Sequence, residues 1–156
     1  QLQVYPLFKY CHMFLKMISI KENVNSVEEF NYLYDAVGWE SYDEKISEKA
    51  LENTIYSVSV YEDNKIIGYG RLIGDEICFL YIHDVMVIPK YQNKKIRTQI
   101  MDKLLEKVNQ IKLENPYVRV YLGALKGKEK FYERFGFITR EDANLGSSMI
   151  LDGFDK

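Results

Sequence analysis

A chain of 156 residues, 47% apolar and 28% charged, is long enough to bury a core in one domain without metals or disulfides. Its net charge of −2 gives no global basic field for nucleic acid, and no apolar run approaches the roughly 20 residues of a membrane-spanning helix. Cys11 and Cys78 form neither a CxxC motif nor a metal-ligand spacing, and a reducing, cytoplasmic compartment is the expectation.

The segment Gln1–Lys16 is apolar and aromatic without a helical or strand period, and it lacks the basic start and cleavage site of a secretory signal. It reads as an upstream or appended extension, with Met17 as a natural start and residues 17–156 as a single domain. Met17–Glu22 is expected to be a short strand. Ser26 is an N-cap with Glu29 completing a capping box, Phe30, Leu33, Tyr34 and Val37 follow at helical spacing, and Gly38 ends the helix. Asp43–Asn53 is a second helix. In Ile55–Glu62 the period becomes two, Asp63-Asn64 is a turn, and Lys65–Ile73 returns as the other strand of a hairpin. After Gly74-Asp75 comes Ile77–Ile88, a long apolar strand closed by Pro89, in which Cys78 reads as a buried thiol. Alternation places Tyr81, His83, Val85 and Val87 on one face and Ile82, Asp84, Met86 and Ile88 on the other.

The next helix carries Ile96, Ile100, Met101, Leu104, Leu105, Val108 and Ile111 as an apolar stripe and stops at Asn115-Pro116. Tyr117–Gly123 is a strand, Lys128–Phe135 a short helix closed by Gly136, and Phe137–Arg140 and Ser148–Leu151 are the last strands. The order β-α-α-β-β-β-α-β-α-β-β describes a mixed α/β, α+β-like sheet of about seven strands with about four helices. It lacks the strict alternation of a Rossmann domain. Charge divides unevenly: eleven acidic residues lie between Glu22 and Asp63 against Lys45 and Lys49, whereas Lys90–Arg140 holds thirteen basic residues against five acidic. Such runs are solvated faces, or else one half receives a cation and the other an anion.

Ile82-His83-Asp84-Val85-Met86-Val87-Ile88-Pro89-Lys90-Tyr91-Gln92 resembles the central strand and turn of the GNAT (Gcn5-related N-acetyltransferase) superfamily. Phe131-Tyr132-Glu133-Arg134-Phe135-Gly136-Phe137 resembles that family's fourth-helix signature, and Gly68-Tyr69-Gly70-Arg71 its third strand. The order of elements from Met17 onward is similar as well. The resemblance implies a GNAT fold and an acyl-CoA N-acyltransferase that moves an acetyl group from acetyl-coenzyme A to a primary amine by direct attack, without a metal. It implies that the pantetheine arm lies along the main chain of Val85, Met86 and Val87, and that the turn Gln92, Asn93, Lys94, Lys95, Ile96, Arg97 and Thr98 cups the pyrophosphate at a helix N-terminus. Lys128 and Phe131 are implied as further cofactor contacts.

The family's turn reads Gln/Arg-x-x-Gly-x-Gly/Ala, and here Lys95 and Arg97 stand at its two small positions. A non-glycine residue in a left-handed conformation costs about 1–2 kcal/mol, while three cations at Lys94, Lys95 and Arg97 suit an anion. Two alternatives therefore stand beside the enzyme. The cations are the start of a solvated helix, or the chain is a catalytically weak or inactive CoA-binding sensor module.

The resemblance also makes Tyr132 the general acid that protonates the departing sulfur, against plain packing between helix and sheet. His83 is a candidate base, its side chain suited to proton removal near neutral pH. Asp84 is the alternative base or a structural acceptor, and it points to the opposite face unless a bulge intervenes. Trp39 lines an amine site through cation–π contact or plugs the core, and Tyr81 joins it as a substrate-side residue. The acidic half favours a cationic acceptor: a small amine, a polyamine or a lysine side chain. Neither nucleic acid nor membrane is an expected partner. Dimers are common among relatives, which leaves a homodimer open.

Overall fold

The computed structural model describes residues 17–151, so the expectation for Gln1–Lys16 lies outside the described residues. The elements are β1 (Ile18–Glu22), α1 (Val27–Ala36), α2 (Glu44–Glu52), β2 (Tyr56–Glu62), β3 (Lys65–Gly74) and β4 (Phe79–Val87). A 3-10 turn at Pro89–Tyr91, α3 (Ile96–Glu114), β5 (Arg119–Leu122) and α4 (Glu129–Glu133) complete them. The strands form one sheet in the order β1-β2-β3-β4-β5. β1, β2, β3 and β4 pair antiparallel in succession. The neighbours β4 and β5 are joined through α3, the helical crossover that parallel strands require. The chain divides into two compact units between Tyr121 and Leu122.

Local chemistry sets these elements. Ser26 Oγ accepts from Glu29 N at 3.2 Å and starts α1; Asp43 Oδ1 accepts from Lys45 N at 3.0 Å and starts α2. Asp63 and Asn64 both take positive φ, 48° and 65°, the left-handed pair that a tight hairpin between β2 and β3 needs.

The central strands are covered on both faces. Directly paired residues share a face, and Val58↔Gly70 and Val60↔Gly68 are two such pairs. That face meets α3 closely: a methyl group placed on Gly70 would come within 2.6 Å of Ile100 Cγ2 and 3.1 Å of Leu104 Cδ1. The opposite face carries Tyr69 and Met86, which join Phe30, Leu33, Tyr34 and Leu51 in a second buried cluster.

Three expectations change. Five strands form among the described residues rather than about seven, because neither Phe137–Arg140 nor Ser148–Leu151 is a strand. Around the first, Thr139 Oγ1 accepts from Asp142 N (3.1 Å), and Ala143 N and Leu145 N donate to Thr139 O (3.1 Å) and Arg140 O (2.8 Å). Those backbone groups are satisfied within a turn and have no need of a ladder. Cys78 is exposed rather than buried. Asp75 Oδ1 gathers the amides of Ile77, Cys78 and Phe79 at 2.9, 2.8 and 3.0 Å, which holds Cys78 in the turn and delays the strand to Phe79. The last helix is shorter than Lys128–Phe135, spanning Glu129–Glu133, with Gly136 beyond it at φ 86°.

Candidate active site

The register of β3 on β4 breaks between Tyr69↔Met86 and Arg71↔His83. One residue of β3, Gly70, faces two of β4, Asp84 and Val85, which is a β-bulge. Asp84 adopts φ 52° there. The extra residue overturns the simple alternation. Val85 approaches Gly70 on the α3 side, Val87 pairs with Gly68, and Met86 packs in the α1 cluster. Asp84 accordingly turns to the same side as His83, whereas strict alternation places the two on opposite faces.

Asp84 is the centre of a buried polar cluster. Its Oδ1 accepts from the Tyr34 hydroxyl at 2.5 Å and lies 2.7 Å from His83 Nδ1. Its Oδ2 accepts from Arg71 Nε at 2.6 Å. Arg71 is anchored in turn on Ala50 O and on Thr54 Oγ1 (3.1 Å), which ties the end of α2 to the sheet. Burial works to raise the pKa of Asp84. The hydrogen bond and charge of His83, the Arg71 guanidinium and the Tyr34 hydroxyl outweigh it and hold the carboxyl below the usual carboxylate range. The same cluster raises the Tyr34 hydroxyl far above its ordinary value, first through burial and then through its bond to the Asp84 anion. Burial pushes the neighbouring Tyr69 hydroxyl up to about 12. The Asp84 side chain is 1% exposed and that of His83 47%, so the imidazole is the member that meets solvent.

Aromatic rings adjoin the cluster. The ring of Tyr34 lies 5.4 Å from Trp39 and 5.3 Å from Tyr42, both edge-on, and Tyr81 lies 5.8 Å from His83. Trp39 is half-buried against the α1 core, with its amide bonded to Tyr34 O at 2.9 Å. The sequence reading missed Arg71 and Tyr34 as members of this cluster. Arg71 carried a signal, since a cation within an apolar strand needs a buried partner. Tyr34 carried none, because it sits on the apolar stripe of its helix.

After β4 the chain passes the 3-10 turn into α3. Asn93 and Lys95 both take φ 62°, and Lys95 is the left-handed N-cap of the helix. The lysine therefore holds the conformation that glycine adopts more readily. The first helical amides, from Ile96 to Thr98, have no intrahelical acceptor, and Gln99 N is bonded to Lys95 O at 3.1 Å. Lys94 and Lys95 are exposed and Arg97 is half-buried. Lys94 Nζ lies 5.1 Å from the centre of the Tyr91 ring, and Gln92 Nε2 donates to Val87 O at 3.1 Å. β5 is four residues long against nine in β4, and Arg119 N bonds to Cys78 O, so Val85–Val87 lie beyond its end.

In the second unit, Tyr132 is half-buried on α4, edge-on to Phe131 at 5.0 Å and to Phe137 at 6.5 Å. Lys128 is the N-cap residue of that helix. Among the described residues no group of three or more His, Cys, Asp or Glu is arranged to hold a metal, and no helix is long and apolar enough to cross a membrane.

The fourth strand thus carries a bulge with a polar cluster beside it and runs through a left-handed turn into a long helix. Residues 19–147 match the acetyltransferase (GNAT) domain family, and the chain belongs to it. The chain is 29% identical over 120 residues to an uncharacterized ycf52-like N-acetyltransferase of Prochlorococcus marinus, an alignment covering 74% of this chain and 64% of that protein. Among solved structures it resembles a protein of unknown function, a probable acetyltransferase, from meticillin-resistant Staphylococcus aureus. The TM-score is 0.75 at 26% identity, with 86% of this chain and all of that one covered. A GNAT-family acetyltransferase of Streptococcus pneumoniae superposes with a TM-score of 0.70 at 25% identity, over 88% of this chain and 100% of the other.

Proposed function

We propose that the protein transfers an acetyl group from acetyl-CoA to a cationic primary amine: a small amine, a polyamine or a lysine side chain. The observation that carries this reading is the solvent-facing imidazole of His83, held on the buried Asp84 next to the Tyr34–Trp39–Tyr42 rings. Asp35, Glu40 and Asp43 directly follow Tyr34, Trp39 and Tyr42 in the sequence, and their charge has the sign that attracts an ammonium group.

Acetyl-CoA supplies an activated acetyl thioester. The turn from Gln92 to Thr98 suits its pyrophosphate in this reading, because the left-handed Lys95 opens α3 at its positive end and Lys94, Lys95 and Arg97 add positive charge. The main chain of Val85, Met86 and Val87, beyond the end of β5, suits the pantetheine amides, and Lys128 and Phe131 are further cofactor contacts in this reading. His83 takes a proton from the acceptor ammonium, directly or through water, so that the amine lone pair forms the new N–C bond. As the C–S bond breaks, the hydroxyl of Tyr132 gives its proton to the departing sulfur. Trp39 and Tyr81 line the acceptor side. The reaction is one acyl transfer with two proton movements, the kind of chemistry that positioned acids and bases accelerate about 10²–10⁴-fold each. A cytoplasmic setting and a small-molecule partner accord with it.

A thiol-release assay with acetyl-CoA across an amine panel tests the reading. Cationic primary amines should be turned over, and Tyr132→Phe should lower kcat by about 10²-fold or more. Turnover of neutral or anionic acceptors alone would refute the acceptor class. Calorimetric coenzyme A binding with no thiol release from any amine would favour a sensor module instead. In the same calorimetry, a Lys95→Gly/Arg97→Gly double variant should lose affinity; a sharp gain would show that the two long side chains obstruct the phosphates.

A further inference from the structure

We propose that Asp84 is a positioning residue: it fixes His83 in the Nδ1–H tautomer and so leaves the Nε2 lone pair outward as the base. This rests on the reading of His83 as the proton acceptor. The geometry gives Asp84 no route to the acceptor itself, because its side chain is 1% exposed and both oxygens are engaged. Arg71 bonds to one oxygen and Tyr34 to the other, and both are donors, so the carboxyl presents itself to His83 Nδ1 as an acceptor. An acceptor at 2.7 Å requires a hydrogen on Nδ1, and the neutral ring then carries its lone pair on Nε2.

The arrangement depends on the bulge. With Asp84 at φ 52°, two consecutive side chains reach the same face of the sheet. Neighbouring residues on an unbroken strand do not. Arg71 keeps the carboxyl ionised and, through Ala50 O and Thr54 Oγ1, keeps it in place. The groups that face the pair are Tyr34 from α1, Trp39 and Tyr42 from the loop after it, Arg71 and Tyr69 from β3, and Tyr81 from β4. Arg71 is the cation among them, and it already lies on the far oxygen of Asp84.

The test is nitrogen-15 NMR of the imidazole on the full chain, read together with the pH dependence of kcat/KM for the wild type, His83→Gln and Asp84→Asn. The chain has two histidines, His12 and His83, so a His12→Gln variant assigns the signals. In the wild type, neutral His83 should show a protonated Nδ1 and a bare Nε2. Asp84→Asn puts beside Nδ1 an amide that can donate as well as accept, so neutral His83 should lose its single Nδ1–H tautomer in the spectrum. Its plateau rate should fall about 10²–10⁴-fold. A wild-type tautomer with the proton on Nε2 overturns the proposal, and that measurement does not depend on any variant folding. An acid limb that survives in His83→Gln shows that His83 is not the base and removes the reading beneath. A limb abolished in His83→Gln, with tautomer and plateau rate both unchanged in Asp84→Asn, leaves the base standing and overturns the positioning role alone.

Discussion

Replacing Arg71 with methionine leaves the Asp84 carboxylate buried and takes away its guanidinium. The two side chains are 9% and 1% exposed and meet at 2.6 Å, so solvent does little to screen the loss. Removing one partner of such a pair costs about 3–5 kcal/mol, because the other charge stays behind uncompensated. The bonds from Arg71 to Ala50 O and Thr54 Oγ1 disappear with it. Against a total stability of about 5–15 kcal/mol this is a large fraction.

The sign of the pH dependence separates this cause from loss of packing. In the wild type the Asp84 carboxyl is held below its ordinary value. Its contribution is therefore full above the unfolded value of about 3.9 and is lost as pH falls through the lower folded value. In Arg71→Met, burial is opposed only by His83 and Tyr34, so the carboxyl titrates at higher pH than in the wild type and acid neutralises the stranded charge. The stability gap between the two proteins should be widest from pH 6 to 8 (about 3 kcal/mol or more) and should narrow as the pH drops toward 4. Urea unfolding followed by circular dichroism at four pH values measures it. A gap below about 1 kcal/mol at pH 7, or one that widens on acidification, would refute the buried-pair argument.

Four further variants, at three positions, probe the frame around the site. Gly70→Ala puts a methyl group 2.6 Å from Ile100 Cγ2, and Ile100 is fully buried, so overpacking should cost about 1–3 kcal/mol in urea unfolding; a change under 0.5 kcal/mol would contradict the close approach of α3. Lys95→Gly relieves a left-handed lysine and should raise the melting temperature by the equivalent of about 1 kcal/mol, whereas Lys95→Val should lower it. Ser26→Ala removes the N-cap acceptor for Glu29 N and should cost about 1 kcal/mol, checked by chemical denaturation, with no change in coenzyme A affinity.

Much of the molecule was legible in local chemistry. The Ser26 cap, the Asp63-Asn64 turn, the apolar stripe of α3 and the stop at Asn115-Pro116 each report on a few adjacent residues, and each lies where the pattern places it. The motifs around His83 and Phe131 led to the GNAT family, to which the chain belongs. The two terminal strands were misread because a short apolar run carries no information about whether a partner strand is available. Thr139 and Asp142 then satisfied the backbone locally. Cys78 was misplaced for a related reason: one carboxylate, Asp75, collects three amides and postpones the strand.

The sequence by itself determined the elements from β1 to α4, their order and the residue types at the candidate site, His83 and Asp84 included, because caps, turns and periodicity act over a few residues. The face on which those two side chains meet was decided by the tertiary structure. A single positive φ at Asp84 inserts one extra residue into β4 opposite Gly70, and no period-two count can show that insertion. The partners of Asp84 were likewise decided there: Tyr34 lies 50 positions away and Arg71 13, and the packing of α1 brings the first, the pairing of β3 with β4 the second, onto one carboxylate.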